Sequence, residues 1–410
     1  MDVRPLIYVG VLLLISCSPK SSDSVFDSDN LGSSSCSGQA LSTRFVVQWE
    51  NGEFTVETAP SAEHFKKHFL EPQLEKIRKV EYDRMVQFER DTDRVSVAAT
   101  MPAPDTWGQD IIEASTAWGQ DVLGQNVTVG IVDSFVDVSN PQLAPRIAYN
   151  TKEIPGNGID DDGNGYIDDY AGYTFISNPS TGSTLSDHGS HVSGIIAADH
   201  TKGLIKGIAP QAKIIPAPFI DGKNGGSIGD AILGMQYVTS RGARIINASW
   251  GGAPCMASLR NAFETLNQKG ILIIVAAGNN GVDIDYSPDY PAAFNMPNQL
   301  TVAASNVNDF MPSWSNKGFG LVHLAAPGSE ILSTITRNRV GLMDGTSMAA
   351  PFVSGAAALL WSDRPSATVY DIKMALMRSV DVVPNHEYKV QTLGRLNVKK
   401  ALTEIRKLVP

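Results

Sequence analysis

From Asn126 onward, short continuous apolar runs alternate with glycine-rich turns and longer mixed stretches, a pattern of strands buried on both faces and joined by helices. The runs predict strands at Val127 to Val132, Lys213 to Ala217, Ala243 to Ala248, Ile271 to Ala276, Leu300 to Ala304 and Leu321 to Ala325. The stretches predict helices at His188 to Ala198, Ser227 to Thr239, Met256 to Gln268, Thr346 to Trp361 and Ala367 to Met377. The fold class is therefore α/β, a parallel sheet flanked by helices. Residues 42–100 read as a separate, small α+β unit, with strands at Arg44 to Trp49, Arg84 to Phe88 and Val95 to Val97 and one helix from Ser61 to Val80. In a parallel sheet, chemistry gathers at strand ends, which directs attention to Asp133, Asn279 and the loops near residues 188 and 347.

The chain has 410 residues, enough for one large domain and a small appendage, and its 42 % hydrophobic content excludes wholesale disorder. Acidic residues outnumber basic ones 43 to 33, so no overall positive field attracts a phosphate backbone, and nucleic acid is not an expected partner. At the start, Val11 to Ile15 is apolar but too short to span a membrane, and it leads into Cys17. Residues 1–17 resemble a bacterial lipoprotein signal, which implies lipidation at Cys17, export to the cell envelope, and a membrane anchor. Residues 18–41 are rich in Ser and Asp and read as a flexible tether. Residues 101–125, with Pro102 and Pro104, form a linker suited to processing before a large unit at 126–410. With Cys17 lipidated, Cys36 and Cys255 allow one disulfide at most.

Three segments carry the candidate chemistry. Val129-Gly-Ile-Val-Asp133 sets a carboxylate at the end of a buried strand, Asp187-His188-Gly-Ser-His191 sets an imidazole at a helix start, and Gly345-Thr-Ser347-Met-Ala-Ala-Pro351 sets a hydroxyl at another. Histidine exchanges a proton near neutrality, a serine hydroxyl needs such a base to become a nucleophile, and an acid behind the ring fixes its tautomer. Backbone N–H groups at the serine helix start suit the negative charge of a tetrahedral intermediate.

These three segments, in the order Asp, His, Ser, resemble those of the subtilisin-like serine proteases, across about residues 126–378. The resemblance implies a subtilisin-like fold and a serine endopeptidase of broad specificity that hydrolyses polypeptides through an acyl-enzyme, without a catalytic cofactor. It also implies Asn279, in Ala277-Gly-Asn279-Asn280, as side-chain donor to the oxyanion; its neighbour Asn280 fits the family pattern less well. Two segments resemble the edges that hold a substrate as an added strand: Gly225, Gly226 and Ser227, and Ser249, Trp250 and Gly251. Trp250 is either a pocket wall or a core residue at a strand end. Residues 42–100 resemble the family's propeptide, an intramolecular inhibitor and folding aid, whose removal near 101–106 would also separate the lipid anchor from the enzyme.

An insertion at 157–169 offers Asp160, Asp162 and Asn164 in alternation, a Tyr166 carbonyl, and Asp168 or Asp169 to close the shell, the spacing of a calcium loop's first nine positions. Hard oxygen ligands at this density predict a structural Ca²⁺. Two other readings compete with hydrolysis: a weakly active or inactive surface-binding lipoprotein of the same fold, and a peptide ligase or cyclase using the same triad.

Overall fold

The structure is a computed structural model, and it describes residues 20–26, 39–86, 96–97, 106–176, 186–221 and 225–410. Its centre is an eight-stranded sheet in the order Lys213–Pro218, Thr128–Asp133, Ile245–Ala248, Leu272–Ala276, Gln299–Ser305, Leu324–Pro327, Gly394–Arg395 and Asp381–Val382. The first seven strands are parallel and the last pair is antiparallel. Val129, Ile131, Ile245, Ile246, Ile273 and Ile274 are fully buried, so the apolar runs are continuous because both sheet faces are covered. One face is covered mainly by the His188–Ala197 and Thr346–Asp363 helices, the other by Ile228–Ser240 and Ala257–Gln268. Close approach sets residue size at the contacts. A Cβ at Gly130 would lie 2.4 Å from Val238 Cγ2, so the strand carries glycine where that helix crosses it.

The predicted elements agree with this architecture to within a few residues, with instructive exceptions. The strand expected at Leu321 to Ala325 is Leu324–Pro327, because its ladder partner is the Val302–Ser305 stretch and register is set across the sheet. The helix expected over Ser61 to Val80 stops early. Ala62–Phe65 is α-helical, Lys66–Leu70 and Glu71–Lys76 are tighter or wider turns with Pro72 near the start of the second, and Ile77–Val86 is a strand. Pro72 removes a backbone donor, and the following residues find partners in a sheet instead. The Phe54–Thr58 strand, the Ile331–Ile335/Arg339–Met343 hairpin and the Val398–Leu408 helix were not anticipated.

The N-terminal strands do not stand apart from the rest. Phe54–Thr58, Ala40–Trp49 and Ile77–Val86 form an antiparallel sheet that continues through Met85↔Ser227 and Val86↔Gly226 into Gly225–Ser227 and Ile220–Asp221. Two carboxylates fix the docking. Asp83 accepts from Gly229 N–H at 2.8 Å, at the start of the Ile228–Ser240 helix, and Glu81 accepts from Ser258 N–H at 2.6 Å, at the start of Ala257–Gln268. Each acid meets the donor-rich, partially positive end of a helix. Arg44 bridges Asp83 and Asp230, and the Gln236 amide forms a two-way bond with the backbone of Phe54. Among the described residues, no helix is long and apolar enough to cross a membrane.

Two buried histidines make the fold acid-sensitive. His323 Nδ1 accepts from Thr301 N–H and its Nε2 lies 3.2 Å from Lys373 Nζ; burial, then the lysine charge, pushes the imidazole down to about 3. His191 is held at about 3 by burial and by neighbouring His188. In the unfolded chain both rings protonate near 6.5, so between that pH and about 3 the unfolded state binds more protons and stability is lost as the pH falls. Melting temperature should therefore decline from pH 7 to 4, and His323→Gln should flatten part of that slope; a parallel curve for the variant would contradict the assignment.

Candidate active site

Asp133 ends the strand that lies second from the sheet edge and is fully buried. Its Oδ1 lies 2.7 Å from His188 Nδ1 and also accepts from Ser134 N–H. Because Nδ1 faces a carboxylate, it carries the proton in this pair, which leaves Nε2 as the basic nitrogen of the neutral ring.

The His188–Ala197 helix is pressed against the chain that follows Asp133. A Cβ at Gly189 would lie 2.5 Å from Ser134 O and 2.7 Å from Phe135 O, so the residue after the histidine must be glycine for the imidazole to reach the acid. The other face is tied to the Ile331–Met343 hairpin: Thr336 N–H and O–H donate to Asp187, and Ser333 and Thr334 hydroxyls donate to the carbonyls of His191 and Ser190. His191 Nε2 meets the carbonyls of Ile331 and Gly341 at 2.8 and 3.1 Å, a structural role in which Nε2 donates while burial keeps the ring neutral.

Ser347 is the second residue of the Thr346–Asp363 helix and is almost fully buried. Pro351 lies four residues further along. It has no N–H, so the Ser347 carbonyl loses its helical partner. That carbonyl instead accepts from Ser249 Oγ at 2.8 Å, and Ser347 Oγ donates back to the Ser249 carbonyl at 3.2 Å. Ser249 Oγ also accepts from Asn247 Nδ2, and Asn247 Oδ1 accepts from the Ser354 hydroxyl. This buried chain of bonds locks the serine turn to the end of the Ile245–Ala248 strand.

Asn279 follows the Leu272–Ala276 strand. Its Oδ1 accepts from both Thr346 N–H and Thr346 Oγ1 at 2.9 Å, which turns the amide nitrogen the other way. A side-chain carbon at Gly345 would sit 3.5 Å from Asn279 Nδ2 and 3.5 Å from Ser347 N. The two donor nitrogens thus lie close to the same point beside Gly345. Such a pair suits an oxygen that gains negative charge.

The two predicted binding edges differ in state. Gly225, Gly226 and Ser227 form a strand already paired with Ile77–Val86; Gly225 has φ +75, and Ser227 Oγ caps the next helix by accepting from Asp230 N–H. Asn224 lies outside the described residues. A cavity of about 510 Å³ opens between this strand and the N-terminal sheet, lined by Leu41, Met85, Ile176 and Phe219 among others. On the second edge, Ser249 is committed to the network above and Gly251 is buried. Trp250 is 2 % exposed and meets Phe219 edge-on at 5.2 Å, so its ring belongs to the core.

The acidic insertion is arranged differently from its spacing. Asp160 and Asp162 converge with Glu153, each offering an oxygen within 4.8 Å of the others. Sequence spacing missed Glu153 because it precedes the loop; the only signal was a further acid just upstream. Glu153 Oε1 accepts from Asp161 and Asp162 N–H, while Oε2 is buried without a protein partner. Asp168 does not join them: it accepts from the N–H groups of Gly156, Asn157 and Gly158. Asp169 is fully buried against Arg241, Tyr237 and Asn150. Asn164 spans the two groups, donating to Asp169 and accepting from Tyr166 N–H, and the Tyr166 ring packs against Tyr173 and Tyr237. Glu153, Asp160 and Asp162 thus bring three carboxylates together, one of them with a buried oxygen that has no protein partner. Cys17 and Cys36 lie outside the described residues, and Cys255 is disulfide-bonded.

With this geometry in place, comparison with known proteins defines the class. Residues 124–400 match the model of the subtilase family, and the chain belongs to that family. It is 38 % identical over 271 residues to Subtilisin-like protease 2 of Plasmodium falciparum (isolate 3D7), covering 63 % of this chain and 19 % of that protein. It is 32 % identical over 297 residues to Subtilisin-like protease 1 of the same isolate, covering 66 % of this chain and 42 % of the relative. The Major intracellular serine protease of Bacillus subtilis (strain 168) is 34 % identical over 258 residues, covering 62 % and 74 %. The chain thus spans less than half of the two Plasmodium relatives.

The Ser249 bond to the Ser347 carbonyl should be measurable. Ser249→Ala leaves that buried acceptor without a partner and should cost about 1–3 kcal/mol in urea unfolding. Adding Pro351→Ala restores an N–H four residues along, so the double variant should recover part of the loss.

Proposed function

We propose that this chain is a serine endopeptidase that cleaves polypeptides through an acyl-enzyme. The observation that carries this reading is the buried 2.7 Å bond between Asp133 and His188 in a subtilase-family chain whose His188–Ala197 helix packs against the helix that carries Ser347. Ser347 Oγ is the nucleophile and gives its proton to His188 Nε2 as it attacks the peptide carbonyl. Asp133 holds the ring and stabilises the imidazolium. The tetrahedral oxyanion takes hydrogen bonds from Asn279 Nδ2 and Ser347 N–H. The intermediate collapses as His188 protonates the leaving amine, and water then repeats the sequence on the acyl-enzyme. No catalytic cofactor is needed for these steps. Substrate main chain binds as an added strand along Gly225, Gly226 and Ser227, with Ser249, Trp250 and Gly251 forming the opposite edge and Trp250 acting from beneath as packing.

The proposed organisation is a lipoprotein-type signal at 1–17 with lipid on Cys17, a tether at 18–41, a propeptide at 42–100, a linker at 101–125 and the peptidase unit at 126–410. The enzyme is then exported, either held at the cell envelope or released by processing. Two features support a propeptide: Glu81 and Asp83 cap two helices of the larger unit, and the Ile77–Val86 strand occupies an edge that substrate needs. We also assign a structural Ca²⁺ to Glu153, Asp160 and Asp162. The ion would neutralise their repulsion and brace the insertion between the Asp133 and His188 segments.

Ser347→Ala should abolish casein hydrolysis, self-processing and labelling by a serine-directed acylating reagent, while the parent is active in all three; equal cleavage by both would refute the triad. Asn279→Ala should lower kcat about 10² to 10³-fold with little change in KM. Millimolar Ca²⁺ should raise the melting temperature relative to chelator, and Glu153→Gln should shrink that rise; a parent indifferent to Ca²⁺ would remove the metal site.

A further inference from the structure

The Ile331–Met343 hairpin has a second strand partner. Ser96–Val97 pairs antiparallel with its outer strand, Arg339–Met343, placing Ser96 opposite Leu342 and Val97 opposite Gly341. Residues ahead of the large unit thus lie as an added strand on two of its edges, the other pairing being Met85↔Ser227 and Val86↔Gly226. Both edges border the triad. Gly226 also pairs with Ile220, and the preceding Phe219 N–H donates to the Asp133 carbonyl at 2.9 Å. Met343 lies four residues before Ser347, and the hairpin is fastened to the His188–Ala197 helix through the carbonyls of Ser190 and His191 and the His191 ring. The edge is therefore held at a fixed position relative to His188. Its polarity matters: chain running from Ser96 to Val97 passes from Leu342 toward Gly341, away from Ser347. A substrate strand laid the same way carries the residues that follow the cut bond.

We propose that the outer edge of Arg339–Met343 binds the leaving side of a polypeptide substrate as an added antiparallel strand, a place that Ser96–Val97 fills until the N-terminal unit is removed. This rests on the endopeptidase reading and gives it a substrate class: extended chains with several residues beyond the cut bond, in preference to short amides and esters. Without Ser96–Val97 the strand is a sheet edge, and its unpaired N–H and C=O groups are a template for another chain. Val340 and Leu342 pack on the cluster of Ala198, Ile205 and Leu332, so those side chains belong to the fold and the edge offers substrate its main chain. Selection is then by length and extension, with little demand on sequence. The leaving side departs with the amine when the acyl-enzyme forms, so its binding acts on acylation and has no part in deacylation.

The test uses the self-processed enzyme and quenched fluorogenic peptides that are identical up to the cut bond and carry from one to five residues after it. Two or more added main-chain hydrogen bonds should raise kcat/KM roughly tenfold along the series. The deacylation rate should stay constant, and N-methylation of alternate downstream amides should cancel the gain. A series that does not respond to length, or a gain that survives methylation at every downstream amide, overturns the edge and leaves the peptidase reading intact. Failure to cleave any peptide in a Ser347-dependent way overturns the peptidase reading instead. The edge is then read without catalysis, by hydrogen exchange in the full-length Ser347→Ala chain: adding Val97→Pro should speed exchange at residues 340–343, and a synthetic peptide of residues 94–99 should slow it again. Exchange there that responds to neither the substitution nor the peptide overturns the strand site.

Discussion

The hydrogen bond between Asp133 and His188 joins a strand end to a helix start, both almost fully removed from water. An acid in that setting needs a donor, and an imidazole needs one tautomer held against rotation; each supplies what the other lacks. Much of the surrounding structure serves to bring them together. Gly189 lets the helix approach the strand, the Ile331–Met343 hairpin clamps its far side, and the parallel sheet sets the height at which Asp133, Ser249 and Asn279 emerge.

The serine turn uses a different device. A proline one helical turn after Ser347 frees the carbonyl of that residue, and a neighbouring strand end captures it through Ser249. The broken helical bond becomes the attachment point for the nucleophile's backbone. Thr346 then orients Asn279 through its N–H and hydroxyl, so one turn positions both the hydroxyl and the amide donor.

The sheet and the main helices were legible in the sequence because they are buried on both faces or along a clear stripe, and burial leaves long apolar runs. The triad segments were legible because glycines and the helix-start residues around them answer to steric demands of a few ångströms. What escaped had weaker local signals. The sequence reading carries the helix on to Val80 and starts the strand only at Arg84, whereas the strand begins at Ile77, because its pairing partners lie far away in sequence and tertiary context overrides local preference. The acidic insertion was read by loop spacing, but Asp168 satisfies nearby N–H groups, Asp169 is buried against the partly exposed Arg241, and Glu153 arrives from outside the loop. Spacing cannot register a ligand that the fold brings in from elsewhere.

The Gln236 amide that grips both backbone groups of Phe54 is a side chain imitating a neighbouring strand. It sits, half-buried, on the Ile228–Ser240 helix between the N-terminal sheet and the central one. Its geometry reads main chain alone, so the grip itself does not depend on which side chain stands at position 54, although burial of Phe54 in the core still asks for an apolar one. Two halves of such a molecule can accumulate substitutions at different speeds and still fit one another.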